Sequence, residues 1–113
     1  MYEKLSDIGI DTSAALAKLG GKKDIYERFL KRFPSDPNFE EMISNFNMGH
    51  LDTVLTKAHN LSGTAGKLGM KKLSEICSVI VSSITKGETE KLSEYIKNAQ
   101  EEYSKIMDAV KNI

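Results

Sequence analysis

Residues 51–69 read LDTVLTKAHNLSGTAGKLG, and the way this stretch divides into faces decides what kind of chain it belongs to. Leu51, Val54, Ala58, Leu61, Ala65 and Leu68 recur at spacings of three and four in alternation. That is the apolar stripe of one amphipathic helix. Gly69 stands where such a helix ends. At about 100° per residue, His59 points roughly 135° away from the centre of the stripe. Gly63 and Gly66 flank it in direction, each within about 40°.

The same period runs outward on both sides. Downstream, Leu73, Ile76, Cys77, Ile80, Val81 and Ile84 form a second stripe, closed by Lys86-Gly87. Leu92, Ile96, Ala99, Tyr103, Ile106, Val110 and Ile113 form a third. Upstream of the Gly49 break, Phe39, Ile43 and Phe46 carry a helix to about Asn47. Pro34 and Pro37 separate it from a helix over 22–32 with Ile25, Phe29, Leu30 and Phe33. The proline pair permits either one kinked helix or two separate ones. Asp36 is placed to cap a new start with Pro37 at its first position. Asp11-Thr12-Ser13 offers N-caps for a short helix over 14–19, stopped by Gly20-Gly21, and residues 1–10 read as a lead-in. No segment alternates with the period of a strand. The expected fold is all-α: one domain over 1–113, an up-down four-helix bundle with a short N-terminal helix or helices. Phe29, Phe33, Phe39, Phe46 and the methionines read as core. Tyr103 is placed with its hydroxyl at the bundle's edge. Glu101-Glu102 and Lys71-Lys72 read as solvated faces.

Sixteen basic residues balance sixteen acidic ones and are scattered, which gives no footprint for nucleic acid or an anionic membrane. A single cysteine, Cys77, excludes an internal disulfide and fits a reducing compartment. No stretch has the apolar length of a signal or a membrane span. The expected location is cytoplasmic.

Two glycines inside a helix each cost about 1 kcal/mol relative to alanine. Close helix packing would explain them on the core face, but here they share the face of His59. Bare backbone beside an exposed imidazole lets a second protein bring a reactive group to it. A surface histidine by itself carries no such meaning; the shared face of histidine and glycines does. The pattern Ala58, His59, Leu61, Gly63, Ala65, Gly66, Leu68, Gly69 resembles the signature of histidine-containing phosphotransfer domains. The stretch IDTSAALAKLGGKKDIYERFLKRF at 10–33 is similar to that family's N-terminal helix pair, and LSEICSVI at 73–80 to its next helix.

The resemblance implies that His59 accepts a phosphoryl group from a receiver-domain aspartate or a kinase, and passes it to another receiver. It implies a docking surface of Leu55, Thr56, Ser62, Gly63, Gly66 and Lys67. The partners it implies are a response-regulator receiver domain and a hybrid histidine kinase, met by a monomer. The chain is expected to need no cofactor of its own, with Mg²⁺ held by the receiver. An imidazole of ordinary pKa, about 6.5, offers a free lone pair at neutral pH. Phosphoryl transfer asks mainly for alignment and charge neutralisation. No GxxxxGK[ST] loop is present, so ATP binding by that motif is not expected.

One position departs from the family pattern. A lysine commonly stands three residues after the histidine, and here it is Ser62, a hydroxyl without charge. Lys67 is the expected partial stand-in. The departure favours an alternative, a non-transferring interaction module that binds a receiver or kinase. A metal site from His50, His59 and Cys77 lacks ligand spacing on a helix, and Cys77 falls on an apolar stripe.

Overall fold

The computed structural model describes residues 2–111 and 113; Met1 and Asn112 lie outside the described residues. Among the described residues there are helices and turns but no strand. The helices are α1 (Glu3–Asp7), α2 (Thr12–Lys18), α3 (Lys23–Arg32), α4 (Asn38–Asn47), α5 (Leu51–Lys67), α6 (Lys71–Lys86) and α7 (Leu92–Val110). A 3-10 turn, Phe33–Ser35, separates α3 from α4. None of these helices is long and apolar enough to cross a membrane.

Local chemistry sets the boundaries. The Asp11 carboxylate accepts from the Ala14 N–H at 3.0 Å and caps α2. Asp36 accepts from the Asn38 N–H at 2.8 Å and from the Asn38 side-chain amide at 2.7 Å. With Pro37 just ahead of Asn38, this starts α4 afresh, so the chain makes two helices here and not one kinked one. Gly87, at φ 71°, closes α6 in the left-handed conformation.

α5 is the centre of the packing, with α4 on one side and α6 on the other; α6 also packs on α7, and α1 on α7. Val54, Ala58, Leu61 and Ala65 are completely buried, so the stripe points inward as its spacing predicts. Leu73, Cys77 and Ile80 of α6 and Ile96, Ala99 and Ile106 of α7 complete the core. The Phe39 ring stacks on Tyr103 with centroids 3.7 Å apart, which ties α4 to α7.

Several expectations are corrected. Residues 3–7 are helical, with Leu5 buried beside Ile10 in the core, so the N-terminal segment is more than a lead-in. Phe29 is 40% exposed. The buried stripe of α3 is Tyr26, Leu30 and Phe33, and Phe29 lies about 100° from Leu30 around that helix. Met48 is 57% exposed because α4 ends at Asn47 and the turn carries it outward. Glu102 is buried, not solvated. It sits between Ala99 and Ile106 on the inward stripe of α7, and its carboxylate meets the Lys72 ammonium at 3.7 Å.

Tyr26 anchors the N-terminal helices. Its hydroxyl donates to the Leu68 carbonyl at 2.9 Å, one of the carbonyls left over at the end of α5. Burial pushes this hydroxyl's pKa up to about 12. Tyr26→Phe removes the donor and leaves a buried carbonyl unsatisfied. The expected loss is about 1–2 kcal/mol, read from the urea midpoint of the folded chain.

Candidate functional site

α5 runs unbroken through Gly63 and Gly66. Its outer strip exposes Thr56, His59, Gly63 and Lys67, with Leu55, Ser62 and Gly66 half-buried along one edge. The two sides of the helix are engaged. Toward α4, Lys57 pairs with Glu41 at 2.9 Å, and the Asn60 amide donates to the Asn38 side-chain oxygen at 3.3 Å. Toward α6, Ser62 and Gly66 meet Ser74. His59 stands between these seams, and among the described residues its ring makes no hydrogen bond or ion pair. The Thr56 hydroxyl turns back to the Asp52 carbonyl at 3.3 Å.

The two glycines of the motif differ. A Cβ built on Gly63 would meet nothing within 4 Å. A Cβ on Gly66 would touch the Ser74 hydroxyl at 3.4 Å. Open backbone one turn beyond His59 is therefore a property of Gly63, while Gly66 also belongs to the contact with α6. Gly69 has a third role. Its φ is +78°, and its carbonyl accepts from the Asp11 N–H at 2.8 Å.

Ser62 does not hold its hydroxyl out as a free donor near His59. It donates to the Ser74 carbonyl at 3.1 Å and lies 3.0 Å from the Ser78 hydroxyl. The Ser74 hydroxyl donates back to the Ser62 carbonyl at 2.9 Å. The position where the family pattern carries a lysine is thus used to join two helices.

Two further charges lie near the end of α5. The Lys18 ammonium donates to the Gly66 carbonyl at 3.4 Å. Lys71 pairs with Asp11 at 2.8 Å. The hydrogen bond from Lys71, and then that from the Ala14 N–H, hold the Asp11 carboxyl below the usual carboxylate range. Lys18 escapes a reading of local spacing because it lies 48 residues from Gly66 along the chain. Cys77 is buried, and that burial pushes its thiol up to about 12, so it is not a nucleophile at neutral pH. Among the described residues, no group of three His, Cys, Asp or Glu is gathered as a metal site would need.

Comparison of the chain with protein-family models, with curated proteins and with solved structures found no match. The chemistry must be read from α5 itself. It offers one accessible imidazole on a well-supported helix, flanked by bare backbone. Such a group can attack an electrophile that a second protein presents, and it needs no cleft of its own.

Proposed function

We propose that this chain is a histidine phosphotransfer domain, with α4–α7 forming the up-down bundle that carries His59 on α5. The observation that supports this best is the exposed imidazole, without a partner among the described residues, and the open space at Gly63 one turn further on. In the proposed reaction, a lone pair of the imidazole attacks the phosphorus of an aspartyl phosphate on a receiver domain. The P–O bond to the aspartate breaks, a P–N bond forms, and the aspartate leaves as carboxylate. The receiver brings the Mg²⁺ that neutralises the moving charge. This chain holds the imidazole in position: α5 is fixed on one side by Lys57–Glu41 and on the other by the Ser62–Ser74 contact. The reverse sequence loads a second receiver.

The reading is tested by charging receiver domains with labelled acetyl phosphate and mixing each with the chain. Label should leave at least one receiver and appear on the chain. Stable binding without any transfer of label, across receivers that transfer to other histidine domains, would support the interaction-only module instead.

Gly63 gives a second test. Gly63→Ala meets no neighbour, so it should raise stability by about 0.5–1 kcal/mol through helix propensity alone. Gly63→Gln should stay folded and transfer at least about tenfold more slowly, because its side chain enters the space a receiver must occupy. Wild-type transfer by Gly63→Gln would show that access over Gly63 is irrelevant.

A further inference from the structure

The serines at the α5–α6 seam can be sorted by their protons. The Ser74 hydroxyl donates to the Ser62 carbonyl at 2.9 Å, and the Ser62 hydroxyl donates to the Ser74 carbonyl at 3.1 Å. Each hydroxyl has one proton, and this arrangement places both in a reciprocal clasp. With those two protons so placed, the proton left for the 3.0 Å contact between the Ser62 and Ser78 hydroxyls is that of Ser78. Ser78 is exposed, and it can turn its proton elsewhere without stripping a carbonyl of its partner.

Register brings Ser78 to the level of His59. α5 and α6 are joined by the turn at 68–70, and Ser62 of α5 lies against both Ser74 and Ser78 of α6. The two helices therefore run antiparallel. One turn back along α5 from Ser62, at His59, corresponds to one turn forward along α6, at Ser78 and Ser82. Around α5, His59 lies about 60° from Ser62 on the α6 side and about 100° from Asn60 on the α4 side. Lys67 lies about 80° from His59 in the opposite direction from Ser62, away from the seam.

We infer that the Ser78 hydroxyl is the hydrogen-bond donor to the phosphoryl group on His59, and that the Ser62–Ser74 clasp positions it there. This rests on the phosphotransfer reading. It explains how a serine can occupy the position where a lysine is common: a neutral donor on α6 serves in place of a cation on α5. A donor on a phosphoryl oxygen withdraws the charge that drives dissociative cleavage of the P–N bond, and it favours the dianion.

The test needs no receiver. Phosphoramidate transfers its phosphoryl group to an accessible imidazole as ammonia leaves. His50→Gln in every protein leaves His59 as the sole histidine, since the chain has two. Ser78→Ala should shorten the phosphohistidine lifetime about three- to tenfold and move the phosphorus-31 titration of the phosphoryl group to higher pH. Ser78→Thr, which keeps the hydroxyl, should restore both. A Ser78→Ala protein with wild-type lifetime and titration would overturn the inference. So would a lifetime that falls with Lys67→Ala instead and depends on salt, as an exposed cation requires. Either result would leave the receiver experiment standing, because phosphoramidate reacts without a receiver.

Discussion

His59→Gln is expected to leave a folded bundle that takes up no phosphoryl group. Glutamine keeps much of the length and polarity of histidine, but its amide has no nucleophilic nitrogen lone pair. Label transferred from a charged receiver should fall to the background of the mixture. The structural cost should be small, within about 0.5 kcal/mol of wild type, because His59 is exposed and makes no hydrogen bond or ion pair among the described residues. Thermal melting and receiver binding report these separately. Loss of label with unchanged melting and retained binding is the expected combination. An unfolded variant would mean that His59 supports the bundle, and retained label would mean that the acceptor lies elsewhere.

Gly69→Ala should be the most damaging of the glycine substitutions. A Cβ there would stand 2.3 Å from the Asp11 carbonyl oxygen and 2.9 Å from its carbon, and the neighbour is backbone that cannot swing aside. The φ of +78° adds about 1–2 kcal/mol for any residue with a Cβ. Relief requires the start of α2 to move away from the end of α5, which strains the Asp11–Gly69 hydrogen bond and the Asp11–Lys71 pair. The expected loss is about 2–4 kcal/mol, or roughly 10–20 °C in melting temperature. The contrast with Gly63→Ala is the sharper check, since the two changes are chemically identical and should have opposite signs. If Gly69→Ala melts with wild type, the docking of α2 on the α5–α6 turn is misplaced.

Much of this architecture is legible because α5, α6 and α7 each carry an apolar stripe with helical spacing, and glycine closes α5 and α6. The alternation of Leu and Ala in α5 is clear enough to orient His59, Gly63 and Ser62 before any coordinates. What spacing does not show is which of two adjacent apolar residues wins the interior. Tyr26 and Phe29 both fit a helix, and the choice depends on the Leu68 carbonyl far along the chain, which only Tyr26 can satisfy. Glu102 reads as solvated by its charge, yet it lies on the inward stripe of α7 and meets Lys72. The helix Glu3–Asp7 is too short to show a period, and it is held by burial of Leu5. At the candidate site, exposure of His59 and the openness at Gly63 follow from direction around one helix. The engagement of Ser62 does not, because its partners belong to another helix.

The proposed intermediate is a phosphoryl group carried on the imidazole of His59. It is tested most directly on labelled chain taken from a charged receiver, by bond stability and by peptide mass spectrometry. The label is expected to be lost in acid, survive alkali, and map to the peptide containing His59. Label that survives acid and is lost in alkali, or that maps to any other residue, would contradict it.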